Sequence, residues 1–177
     1  MACDLTLGRD EGCKDNRGGL KNIYWANYEA GLESSATFDA DGQITAFVSP
    51  LTLYKYEIRS DENVFDETNP NDFSSGTSYW EGSLTVALKK MSVADRAELI
   101  KASRGRPHVF VEDYNGNFRL MGIELGCVVS VGTASGGAMG DFSGYRLEVT
   151  SQEVEPAHFV DPTIIDDTTN TTVVVAA

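Results

Sequence analysis

The stretch YWEGSLTVALKKMSVADRAELIKASRGRPHVFVEDYNGNFRLMGI, Tyr79 to Ile123, decides the fold. Leu84, Val86 and Leu88 alternate with Ser83, Thr85 and Lys89, the period of two of a strand with one face buried. The period then changes. Ser92 is a helix cap, and Asp95 three residues on completes a pair of the capping-box kind at the positive end of a helix over about 92–104. Val93, Ala97 and Ile100 recur at i, i+4, i+7 and form the expected packing stripe. Lys101 and Arg104 suit the carbonyl end, Gly105 offers a left-handed stop, and Pro107 prevents the helix from resuming. Val109 to Tyr114 and Asn117 to Gly122 then form a hairpin, with Asn115-Gly116 as a type I′ turn. One amphipathic helix laid against a sheet is the expected scaffold.

Strand signals continue outward in both directions. Gly18-Gly19 breaks a charged N-terminal arm, residues 1–17, from a strand over Leu20 to Tyr28. Ala36 to Phe38 and Gln43 to Val48 flank the turn Asp39-Ala40-Asp41-Gly42. Leu51 to Arg59 has the aromatic and branched composition of a strand. Beyond the hairpin, Cys127 to Val131 and Phe142 to Val154 are strands joined by the glycine-rich Gly132 to Gly140. Pro156 ends the regular region, and 156–177 has the composition of a tail. The expectation is a mainly β chain, a sandwich or barrel of antiparallel strands over 18–155 with one flanking helix.

Ser60 to Ser78 stands apart. It is rich in Asp, Glu, Asn, Ser, Thr and Gly, and it joins two strands. A connection of this length is either a solvated linker or an arm that orders against another subunit. Val64, Phe65 and Phe73 favour the arm, because a solvated linker has no need of them. With Asp61, Glu62, Asp66 and Glu67 they form the candidate interface loop.

The net charge of −13 over 177 residues argues against attachment to nucleic-acid phosphates or anionic membranes. It suits solubility, or a surface that must repel a polyanion. The start of the chain lacks the apolar run of a signal peptide, and no run reaches the roughly 18–20 apolar residues of a membrane span. The three cysteines, Cys3, Cys13 and Cys127, lack metal spacing and are read as thiols of a cytoplasmically made protein.

Motifs that resemble chemistry fail in detail. Gly132 to Gly137 lacks the Gly-Lys-Ser/Thr ending of a phosphate loop. Asp113, Asn115, Asn117 and Glu124 mimic a calcium loop, but Phe118 stands where the sharp turn needs glycine. His108 and His158 are expected at strand edge and tail, without partners for catalysis. The acidic pairs Asp61-Glu62, Asp66-Glu67 and Asp166-Asp167 lie in polar loops, poor settings for a general acid. The reading is a protein that is not an enzyme and needs no cofactor or metal.

The run Tyr79-Trp80-Glu81 to Met91, the following helix, and Val109-Phe110-Val111-Glu112-Asp113 with Asn115-Gly116 and Leu120-Met121-Gly122 resemble the tail tube proteins of tailed bacteriophages. So does the closing segment, where Gly140-Asp141 precedes Ser143-Gly144-Tyr145-Arg146-Leu147-Glu148-Val149-Thr150. The resemblance covers residues 18 to 155. It implies a virion structural protein whose rings, six subunits each, stack into a tube that conducts DNA, with a long inter-strand loop bridging subunits. The implied partners are further copies of the chain, then tail terminator, baseplate or tail-tip hub, tape measure, and a sheath if the tail is contractile. DNA passes an acidic lumen without specific binding, and no membrane is involved. Two other classes fit the same residues: another virion part, such as a head decoration or tail-completion protein, and a β-sandwich that binds a ligand.

Overall fold

Strand follows strand through the computed structural model, which describes residues 7–72 and 74–175. In order they are β1 (Leu20–Ala26), the single turn α1 (Leu32–Ser35), β2 (Ala36–Phe38), β3 (Ile44–Phe47), β4 (Leu51–Glu57) and β5 (Val64–Thr68). Then come β6 (Asn71–Asp72), β7 (Thr77–Ser78), β8 (Trp80–Lys89), α2 (Val93–Arg104), β9 (His108–Asp113) and β10 (Phe118–Met121). The chain finishes with β11 (Val128–Ala134), β12 (Gly144–Glu153), β13 (His158–Val160), a 3₁₀ turn (Pro162–Ile164) and β14 (Thr171–Val174).

Two sheets carry the fold. The larger has the order β14-β4-β1-β9-β10-β13-β3-β2, the smaller β11-β12-β8-β5. Alternation along β1 explains why both faces of the larger sheet are buried. Ile23 and Trp25 face the smaller sheet, packing with Leu84, Val86, Leu147 and Val149. Tyr24 and Ala26 face the other way, into a second core with Leu53, Phe110, Leu120 and Val160. That second core exists because the larger sheet rolls. β3 and β4 lie five strand spacings apart, about 24 Å if flat, yet only Val48 to Pro50 joins them, a reach of about 14 Å at most. Asn170 fastens the roll, its Oδ1 accepting from the Phe47 N–H at 3.0 Å and its carbonyl from the Leu51 N–H at 2.9 Å. Among the described residues no ladder closes it into a barrel, and the expected mainly β architecture with antiparallel sheets and a flanking helix stands.

Five expectations are corrected. The segment expected as a tail, 156–177, is built into the sheet over its described part, 156–175: β13 lies between β10 and β3, β14 runs parallel to β4, and Val160, Ile164 and Thr171 are buried. The Ser60 to Ser78 connection is not a loop. Its first half is the edge strand β5, paired antiparallel with β8, and its second half is the small β6–β7 hairpin.

The helix packs differently from its predicted stripe. Ser92 caps it as expected, accepting from the Asp95 N–H at 3.0 Å. But Val93 is 88% exposed and Ala97 is also exposed, while Ile100 is half-buried. Leu99 alone is buried, in the core between the sheets. The helix is polar around most of its circumference, so one leucine outweighs a weak i, i+4, i+7 recurrence. Gly105 ends the helix in extended rather than left-handed geometry (φ −92°, ψ −170°).

The turn after β9 is not type I′. The Gly116 N–H bonds the Asp113 carbonyl and the Asp113 N–H bonds the Asn117 carbonyl, with only Gly116 at positive φ (84°). That is a type I turn closed by a glycine bulge. Asp39 to Gln43 repeats it, with Gly42 in the bulge and Asp39 capping the loop as Asp113 does.

Residues 7–17 are exposed throughout without regular structure, and Arg17 is tied to Asn115 by two hydrogen bonds. No described helix is long and apolar enough to cross a membrane.

Candidate functional site

The titratable groups inside the cores come first, because they are where chemistry would sit. His108 is fully buried, not at an exposed edge as its sequence context suggests. Its Nε2 accepts from the Glu29 N–H at 3.0 Å, so its Nδ1 carries the proton and donates to the Gly122 carbonyl at 2.6 Å. Burial holds its pKa below the usual histidine value, against the opposing pull of those backbone bonds. With both nitrogens engaged and the ring stacked on Tyr28, the imidazole has no free position for a substrate. His158 is half-buried beside Phe38 and contacts the Gly42 carbonyl.

Glu112 faces the interior of the rolled sheet, where Lys21, Asn22 and Tyr24 donate to its oxygens at 2.7, 2.6 and 2.8 Å. Glu153 is buried between the sheets' ends. Its Oε1 accepts from the Glu124 and Leu125 N–H groups, and its Oε2 has no partner. Cys127 is a buried free thiol, pushed up by burial, and Cys13 is exposed and free; Cys3 lies outside the described residues. No group of three or more His, Cys, Asp or Glu among the described residues is placed to hold a metal.

The feature left uncovered is the smaller sheet. Its inner face is mostly apolar and its outer face mostly polar, the exceptions outside being the buried Ala87 on β8 and the exposed Val64 and Val128 on the edge strands. Ser83 and Thr85 of β8 stand opposite Thr150 and Glu148 of β12, all exposed. β5 adds Asp66 and Thr68 to this face, and β11 adds Ser130. Arg146 also points outward, but the Glu62 carboxylate holds it at 3.3 Å. Lys89 stands at the rim.

Both edges of this sheet are unpaired, although α2 packs beside β11. Among the described residues the backbone of β11 bonds only β12 and that of β5 only β8. β11 is seven residues long and contains neither charge nor proline. Monomeric proteins normally protect such an edge with lysine, proline or a covering element.

The predicted interface residues divide across this geometry. Asp61 and Glu62 lead into β5. Val64 and Asp66 face outward with the polar surface. Phe65 and Glu67 turn inward: Phe65 packs on the inter-sheet core under the Arg119 guanidinium (4.6 Å to the ring centroid), and Glu67 accepts from the Ala157 N–H at 2.6 Å. Phe73 lies outside the described residues. Of the predicted helix stripe, Val93 and Ala97 join no site within the chain. The unpaired β11 edge was missed, although its uncharged run Val128 to Ala134 is visible in the sequence.

A concavity of about 970 Å³ opens between α2 and the β4–β14 edge, with Tyr54, Tyr56, Leu99 and Lys89 in its walls. Comparison of the chain with protein-family models, curated proteins and solved structures finds no match.

Proposed function

We propose that this chain is a structural virion protein, and within that class a subunit of a bacteriophage tail tube. Copies join edge to edge into rings, six to a ring as the resemblance implies, and the rings stack into a conduit for DNA. The observation that carries the reading is the four-stranded sheet with two unpaired edges and a mostly polar outer face. Four antiparallel strands leave β5 and β11 running in opposite directions. A rotated copy therefore brings its β5 to β11 as an antiparallel neighbour, and the sheet continues from copy to copy without a break.

The polar face then lines the bore. Asp66 and Glu148 project from it, Glu81 lies half-buried at its lower margin, and its one arginine is neutralised by Glu62. Such a wall repels phosphates and offers no gain from counterion release, so duplex DNA slides past it.

Negative-stain microscopy of the purified protein, with light scattering over a range of concentrations, tests this. Rings or tubes with an open centre are the expected result. A concentration-independent monomer, or a closed two-fold dimer, overturns it. The groove beside α2 supports a second reading, a β-sandwich module that takes a ligand between Tyr54, Tyr56 and Leu99.

A further inference from the structure

The smaller sheet has two ends as well as two edges. At one end β8 finishes, β12 begins and α2 starts: Lys89 pairs with Gly144, the Lys90 N–H bonds the Ser143 carbonyl, and the Tyr145 hydroxyl bonds the Ser92 carbonyl. At the other, β8 begins and β12 finishes: Trp80 pairs with Glu153, and Glu153 holds the backbone of Glu124 and Leu125. β8 and β12 are ten residues each, so the ends lie about 30 Å apart.

Each end carries exposed apolar side chains that no core claims. Met91 (44%) and Val93 (88%) stand at the first, beside the loop bearing the fully exposed Met139. Leu125 (52%) and Val154 (72%) stand at the second. The charges beside them are opposite. Lys89 and Lys90 precede Met91 and Val93, whereas Glu124 flanks Leu125 and Glu155 flanks Val154, all four exposed. Of the contrary charges nearby, Asp95 sits in the first turn of α2, Asp141 accepts from the Gly137 and Ala138 N–H groups of its own loop at 2.8 Å, and Arg106 is stacked over Tyr28 of its own chain at 4.4 Å, while His158 lies 3.7 Å from Glu155.

We infer that these two ends are the halves of one head-to-tail interface between copies of this chain, with Met91 and Val93 of one copy set against Leu125 and Val154 of the next and the Lys89-Lys90 pair facing Glu124 and Glu155. The patches point in opposite directions, so a molecule cannot satisfy both with one partner. The contact does not close and grows along the strand axis. This rests on the tail-tube reading in that it names the surface by which rings stack. It also accounts for Val93, an apolar residue in a helical stripe that the isolated chain leaves in solvent.

The test is a charge exchange at exposed positions, with thermal melts to verify that each variant folds. Lys89→Glu/Lys90→Glu and Glu124→Lys/Glu155→Lys are each expected to abolish assemblies longer than one ring at low salt. The variant carrying all four substitutions is expected to recover them. Val93→Ser/Leu125→Ser is expected to shorten assemblies at any salt. Tubes of wild-type length from either charge-reversed variant, or no recovery in the fourfold variant, overturn the inference and leave the tail-tube reading standing. Single-file filaments without rings that respond to the exchange overturn the tail-tube reading and leave this interface standing. A wild-type protein that remains monomeric overturns both.

Discussion

Tyr24 donates its phenol hydroxyl to Glu112 at 2.8 Å across two central strands of the rolled sheet. Asn22 and Lys21 complete the set, Lys21 reaching in at a β-bulge between Leu20 and Asn22. A buried carboxylate with three donors is costly to break, because removing it leaves Asn22 and Tyr24 unsatisfied. Glu112→Ala is expected to cost about 3–5 kcal/mol in urea unfolding.

Glu112 and Glu153 are expected to respond to pH with opposite sign. Burial would raise the Glu112 pKa, but the bonds from Asn22, Lys21 and Tyr24 outweigh it and hold the carboxyl below the usual range. Its contribution is present above the unfolded carboxyl value of about 4.3 and lost as pH falls through the lower folded value. Glu153 is raised, by burial first and by the charges of Glu124 and Glu33 as well, against the pull of two backbone N–H groups. Its contribution is complete below the unfolded value and lost as pH rises through the folded one. Thermal melts from pH 3 to 8 therefore separate them: Glu153→Gln raises Tm at pH 7 and not at pH 3.5, whereas Glu112→Gln lowers Tm at pH 7 and converges on wild type in acid.

His108 gives a third pH signature. Burial lowers its folded pKa, so the unfolded chain binds the proton more readily, and stability falls as pH drops through about 6.5. His108→Gln is expected to flatten the urea midpoint between pH 7.5 and 5.5. An equally steep fall in the variant would assign the slope elsewhere.

Leu99 and Ala97 differ by two positions and by almost everything else. Leu99→Ala is expected to cost about 2–5 kcal/mol, as it empties a site in the inter-sheet core. Ala97→Asp, on the solvent side of α2, is expected to stay within about 0.5 kcal/mol of wild type by chemical denaturation.

Deletions distinguish framework from appendage. Joining Asn69 to Tyr79 removes the β6–β7 hairpin where the chain ends already meet, the Asn69 Nδ2 lying 3.1 Å from the Tyr79 carbonyl. This variant is expected to melt near wild type. Deleting Asn63 to Ser75 takes β5 with it, and also Asn63, whose Oδ1 accepts from the buried Ala87 N–H at 2.9 Å. A clear loss of Tm is expected. Truncation after Pro156 removes β13 from the middle of the larger sheet and is expected to abolish cooperative unfolding.

Strands and turns were legible wherever local chemistry decided them. The alternation through Leu84, Val86 and Leu88 predicts β8, and Ser92 with Asp95 fixes the start of α2. The acid-glycine loops announce both hairpins, although the bulge geometry depends on which carbonyl Gly116 bonds. What stayed hidden was long-range. His158 to Val160 is too short a run to declare itself, and becomes a strand because β10 and β3 both lack a neighbour there. Val64 to Thr68 contains Asp66 and Glu67 and follows Asp61 and Glu62, loop-like company, yet its backbone finds β8. His108 has no sequence mark of burial; its two backbone partners, at Glu29 and Gly122, come from distant turns. The outer face of the smaller sheet was readable as hydroxyls and acids alternating with aliphatics, but its unpaired edges emerge only once pairing is known.

The fastening of the roll also sets an order in time. Phe47 and Asn170, which meet where the larger sheet curls shut, are 123 residues apart. During synthesis β3 emerges early with only β2 to pair with, and its other neighbour, β13, appears near the end. At the ribosome's pace of roughly 5–20 residues per second, that strand waits several seconds or more with one side open. The edge strand β5 and its neighbour β8 also emerge within that interval, before β12 and β11 complete their sheet. Pairing between unfinished chains therefore competes with completion of the roll, and the yield of native protein is expected to depend on how fast β13 arrives.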